Sequence, residues 1–249
     1  MGKSARSEAT PAYHDARLNR LSIYLDTHKT VIHRKLLPYF EDVFDKRHSH
    51  QKELRLAFVP LEEERLQDLV EVLPNYLHLH SLRLWKAKLG PQGMKTLAPV
   101  LETLLRLKDL GLEDNGLGDE GALALAPALV HLKELEGLHL HINQISDSGL
   151  LALSGSLQGK VRLSILDLSE NQVTTAGAAQ LLERLASSCP KLETLSLASN
   201  SLDTACRSVF LTHIPHLLCL RKLFLGGIQL PPETISTLHS FNPHLNIFT

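Results

Sequence analysis

The spacing L-x-x-L-x-L-x-x-N-x-L constrains this chain more than any other feature. It is complete at Leu107, Leu110, Leu112, Asn115 and Leu117. It returns at Leu135, Leu138, Leu140, Asn143 and Ile145, then at Leu163, Leu166, Leu168, Asn171 and Val173. Another copy holds Leu192, Leu195, Leu197, Asn200 and Leu202, and a last one Leu220, Leu223, Leu225 and Leu230. Upstream lie Leu79, Leu82, Leu84 and Leu89, and a degraded first copy, Leu54, Leu56 and Leu61. The step is 28 residues, once 29. Self-similarity at such a period is the signature of a solenoid, in which each unit buries its apolar face only against its neighbours.

Within one copy, Leu-x-Leu reads as a short strand whose alternate residues point the same way, here into the core. Stacked copies then give a parallel sheet. The Asn that follows has both an amide donor and an acceptor for backbone groups where the chain leaves the strand. Pro60, Lys88 and Gln229 replace it in the outer copies, as expected of terminal units. The second half of each copy has helical spacing, as in Asp119–Leu129, with carboxylates in the first turn where the helix dipole favours them. Gly93, Gly121, Gly149 and Gly177 fall in register at the helix starts, which predicts close backbone approach or turn geometry there. The fold class expected is an α/β solenoid, with a parallel sheet on the concave side and helices on the convex side.

These repeats resemble the ribonuclease-inhibitor-like class of leucine-rich repeat proteins, over about four fifths of the chain. The resemblance implies a right-handed α/β horseshoe of about seven repeats. The class includes inhibitors, scaffolds, actin-capping modules, GTPase-activating proteins and the repeat regions of cytosolic innate-immune receptors. It therefore implies an architecture and a protein partner, and leaves the partner open. The GTPase-activating members carry a long acidic segment after more repeats, a pattern this sequence does not follow.

The expected organisation is a disordered tail over 1–11, a helical N-terminal cap over 12–50, repeats over 51–230, and a C-terminal cap helix with a short edge strand over 231–249. Gly2-Lys3-Ser4 looks like the end of a phosphate-binding loop but lacks the upstream glycine and strand. No nucleophile elbow, zinc-protease motif or glycine-rich nucleotide loop occurs, so no enzyme activity and no cofactor is expected. A net charge of −1 with 14 His neutral gives no reason to expect nucleic acid or an anionic membrane. Cys189, Cys206 and Cys219 form no CxxC pair and read as small buried thiols. With no glycosylation sequon and no apolar leader, the expectation is a reducing, cytoplasmic setting.

Strand alternation lists the residues on the concave face. One row is Arg55, Arg83, Gly111, His139, Asp167, Ser196 and Phe224; the next is Ala57, Trp85, Glu113, His141, Ser169, Ala198 and Gly226. Asp109 precedes the first row, and Lys86 and Asp114 follow the second. The face is thus graded from basic and aromatic, through acidic with two histidines, to small and apolar. Arg55, Arg83, Trp85, Lys86, Asp109, Glu113, Asp114, His139, His141, Asp167 and Phe224 are the candidate protein-binding residues. His139 and His141 flanked by Glu113 and Asp167 offer ligand types that zinc accepts, but a flat sheet splays them, so no metal is expected. The leading expectation is a non-enzymatic protein-binding module. The alternatives are an assembly scaffold acting through its N-terminal helices and C-terminal edge, which could self-associate, and a GTPase regulator.

Overall fold

A computed structural model describes Leu36 and residues 52–249. The tail over 1–11 and the helical cap over 12–50 lie outside the described residues apart from Leu36, which is fully buried in the same core as the repeats.

Eight strands form one parallel sheet in sequence order. They are β1 (Glu53–Arg55), β2 (Ser81–Arg83), β3 (Asp109–Gly111), β4 (Gly137–His139), β5 (Ile165–Asp167), β6 (Thr194–Ser196), β7 (Lys222–Phe224) and β8 (Asn246–Phe248). Between them run α1 (Glu63–Val72), α2 (Gly90–Leu101), α3 (Gly118–His131), α4 (Asp147–Ser156), α5 (Thr175–Ser188), α6 (Cys206–His213) and α7 (Pro232–Phe241). Each strand is only three residues long, and its middle residue faces the core. The register aligns Leu54, Leu82, Leu110, Leu138, Leu166, Leu195, Leu223 and Ile247 in one row. The seven leucines of that row are at most 1% exposed. The fold is an α/β leucine-rich repeat solenoid. Neighbouring strands sit about 4.8 Å apart, whereas packed helices need about 8–10 Å. Stacking the two layers in step therefore curves the sheet to the inside.

The asparagines make the stacking specific. Asn143 Oδ1 accepts from the backbone of the preceding copy, from Asn115 N at 3.1 Å and Leu117 N at 3.4 Å. Its Nδ2 donates to Leu112 O at 2.9 Å and Leu140 O at 3.0 Å. Asn115 and Asn171 make the corresponding bonds one copy away. Here the chain turns out of the strand and its backbone groups have no ladder partner, so a buried side chain must serve them. The turn also needs left-handed backbone at the equivalent position of each copy, seen at Phe58 (φ 58°), Lys86 (56°), Asp114 (53°), Ile142 (57°), Glu170 (52°) and Ser199 (54°).

The in-register glycines mark contacts between helix starts. A Cβ on Gly149 would lie 3.0 Å from Asp119 Cα, and one on Gly177 2.5 Å from Asp147 Cγ. Asp119 enters this space to accept from Ser146 N at 2.8 Å and Gly149 N at 3.0 Å, so the first turn of α3 caps α4. Lys160 is a further clamp. It stands in a core row with Leu104, Leu132, Cys189 and Leu217, and is fully buried. Its Nζ donates to Leu129 O and, at 2.7 Å, to Leu132 O, closing the C-terminal end of α3. Burial, with Lys133 nearby, lowers this ammonium to about 8.

Cys189 and Cys206 are buried, and burial pushes the Cys189 thiol up to about 12. Cys219 departs from the expectation and is exposed, in the turn before β7.

Asn143→Ala should cost about 3 kcal/mol or more, because it strands two backbone donors and several carbonyls in a buried turn. Asn143→Asp should also destabilise, since a carboxylate cannot donate to Leu112 O or Leu140 O. Urea unfolding of both variants checks this, and an unchanged midpoint for Asn143→Ala would show that the amide is dispensable.

Candidate binding face

The residues flanking each core leucine point away from the helices and form the inner face of the sheet. Side chains from neighbouring strands are tied into two short chains. In the first, Arg83 Nε pairs with Asp109 Oδ2 at 2.7 Å, Ser81 Oγ donates to the same oxygen at 3.0 Å, and His139 Nε2 meets Asp109 Oδ1 at 3.0 Å. In the second, Asp167 Oδ1 accepts from Ser169 N at 3.0 Å and Ser169 Oγ at 2.6 Å. Its Oδ2 lies 3.2 Å from His141 Nδ1, without the alignment of a hydrogen bond. Lys86 Nζ reaches Asp114 at 3.3 Å along the adjoining turns.

Two glycines that read as blank positions are filled by neighbours. A Cβ on Gly111 would come 2.8 Å from Glu113 Oε2 and 3.2 Å from Arg83 Cγ. One on Gly137 would come 2.8 Å from Asp109 Oδ1 and 3.2 Å from His139 Nε2. The glycines let these polar groups fold flat on the sheet. Glu113 is consequently only 7% exposed, although the alternation placed it in the open row. Its Oε2 is buried without a hydrogen-bond partner among the described residues.

Of the other candidates, Trp85 stands out of the sheet as expected, 41% exposed. It does not stand alone. Phe58, which the alternation does not place in either row, packs against it with ring centroids 4.5 Å apart and planes tilted by 58°. Lys86 Nζ lies 5.8 Å from the centre of the Phe58 ring. Phe224 is stacked under Phe248 of β8, 4.5 Å apart and 10° from parallel, so the end of the face is covered by its own aromatic pair. Arg55 is exposed on β1, remote from the histidines. His139 turns to Asp109 and His141 to Asp167. Among the described residues no three His, Cys, Asp or Glu converge as metal ligands. Among them, too, no helix is long and apolar enough to cross a membrane.

The charge pairs fix the protonation of this face. Burial would raise the Asp109 carboxyl, but the hydrogen bonds with His139 and Arg83 outweigh it and hold it at about 2. Asp167 is likewise raised by burial and lowered more by His141 and Ser169, to about 2. Asp167 holds His141 above its ordinary range against burial, and Glu113 and Glu170 add to the pull.

Folding stability should follow these shifts. Both aspartates titrate at about 2 in the fold against the ordinary 3.8. They therefore stabilise it above about pH 4, and the contribution is lost as pH falls toward 2. His141 has the opposite sign: its contribution is complete below its ordinary value of 6.5 and disappears as pH rises through the raised one. Thermal unfolding across pH 2–9 should show both slopes, and Asp167→Asn should reduce both, leaving the part of the acid slope that belongs to Asp109. A variant profile parallel to the parent would contradict the pairing.

Comparison with known proteins agrees with the geometry. A leucine rich repeat family model matches residues 107–126 and 163–182. No curated protein matches in sequence. Among solved structures, the leiomodin-1 actin-binding site 2 superposes with a TM-score of 0.50 at 17% identity, over 60% of this chain and 86% of that one. Matched repeat segments and an eight-stranded parallel sheet backed by helices together give the chain a leucine-rich repeat fold.

Proposed function

We propose that the chain is a non-enzymatic protein-binding module that presents the inner face of its sheet, between β1 and β5, to a protein partner. The Phe58–Trp85 pair carries this reading. Phe58 is 55% exposed and also sits in left-handed backbone, which is costly for a bulky side chain. The turn of each copy requires that backbone, but it does not require a bulky, exposed ring on it. An exposed Trp and Phe beside Arg83 and Lys86 have the composition of an interface hot spot. Beside them Arg83 is already held by Asp109 and Lys86 by Asp114, so little ordering entropy is lost on association.

The resemblance to ribonuclease-inhibitor-like repeats supports a role in recognition or regulation, and the cysteine pattern supports a cytosolic setting. The leiomodin-1 match is to an actin-binding site, which is consistent with a protein partner. At 17% identity it supports the shared architecture and does not choose the partner.

The test is affinity capture from cells with the parent chain and with Phe58→Ser/Trp85→Ala. Both side chains stand on the surface outside the core, so the variant should fold, and circular dichroism checks that it does. Partner affinity should fall about tenfold or more, the loss typical of a central aromatic anchor. Unchanged binding by the folded variant would exclude this face.

A further inference from the structure

The Glu113 carboxylate has an unusual position. It is folded over Gly111, more than nine-tenths buried, and one oxygen lacks a hydrogen-bond partner among the described residues. A buried carboxylate normally gathers donors, because an ionised oxygen without them is costly to hold away from water. Two basic side chains are close by, and both are directed elsewhere. Arg83 gives its Nε to Asp109. The His141 ring faces Asp167.

The charges around Glu113 do not balance. Arg83 is matched by Asp109 and Lys86 by Asp114. Glu113, Asp167 and Glu170 remain, with only the imidazole of His141 among them. On the other side lies an aromatic wall. Arg83 is the register partner of Gly111, so Trp85 and Glu113 occupy the same row on adjacent strands. The backbone bonds Phe58 N to Trp85 O and Lys86 N to Glu113 O, each 2.9 Å, bring the two aromatic residues and the carboxylate together where the chain leaves the sheet.

A flat cation with donors along its edge fits between a ring and a carboxylate. A guanidinium can stack on an indole while its N–H groups pair with an acid, whereas an ammonium is a compact, strongly hydrated point charge. We propose that the row from Trp85 through Glu113 toward Asp167 receives an arginine side chain presented by the partner protein. The guanidinium lies against Trp85, and the Glu113 side chain lifts off Gly111 to pair with it, exchanging a buried oxygen without a donor for a charge-assisted pair. This deepens the protein-binding reading and rests on it.

The probe is fluorescein-labelled hexa-arginine, with hexa-lysine and hexa-glutamate for comparison, measured by fluorescence polarisation on the full chain at near-physiological salt. Hexa-arginine should bind several-fold more tightly than hexa-lysine, and hexa-glutamate should not bind. Glu113→Gln keeps the shape and removes the charge, and should weaken hexa-arginine by about tenfold. Trp85→Ala, on an exposed side chain, should weaken it comparably. Glu183→Gln, an exposed carboxylate on the opposite side of the solenoid, changes net charge equally and should have no effect. Equal weakening by Glu183→Gln, or none by Glu113→Gln and Trp85→Ala, would overturn the assignment. If those two variants leave hexa-arginine unaffected while Phe58→Ser/Trp85→Ala still abolishes capture of the cellular partner, the arginine site fails and the binding face stands.

Discussion

The structure depends on the hydrogen bonds of one kind of side chain, the asparagine that follows each of the four central strands, β3 to β6. A parallel solenoid forces the chain out of the sheet at the same place in every copy, and there its backbone loses ladder partners. The amides of Asn115, Asn143, Asn171 and Asn200 restore them, each reaching back to the copy before. The leucine row supplies most of the burial, but burial alone would tolerate slippage. The amide, which must meet particular N–H and C=O groups, fixes the register. With the register fixed, thin strands on one side and thick helices on the other bend the stack, and the inner face follows.

On that face the fold and the candidate site are two uses of the same strands. The core residue of each strand is apolar in every copy, so the copies stack alike. The flanking residues differ from copy to copy and are free to interact sideways. Arg83 crosses to Asp109 on the next strand, and His139 crosses back to it from the other side. Asp167 is held by Ser169, two residues beyond it in the same copy, and faces His141. The result is a surface with side chains fixed before any partner arrives, aromatic at one end and acidic in the middle.

Much of this was legible in the sequence, and the reason is repetition. A spacing shared by many copies states the strand, the turn and the helix several times over, and the inward leucines can be assigned from alternation alone. The glycines at 121, 149 and 177 also announced close approach or a special turn, because a glycine recurring at one slot of the repeat is not chance. The site was legible only as a face. Alternation says which way a side chain leaves the sheet, not how far it bends afterwards. Glu113 leaves on the open side and then folds down over Gly111. Phe224 is where it should be but lies under Phe248. Phe58 falls one position beyond the row and reaches Trp85 through a left-handed turn. Lys160 stands where its counterparts are Leu or Cys, a substitution visible in the repeat alignment, but its two carbonyl acceptors belong to the helix of the preceding copy.

The central claim is that the inner face, and not the helical side, meets the partner. Hydrogen–deuterium exchange of the chain, free and bound to its captured partner, tests this most directly. Bound chain should exchange more slowly at residues 55–58, 83–88 and 111–114, with α3, α4 and α5 unchanged. Protection confined to those helices, with the three sheet segments exchanging as before, would contradict it.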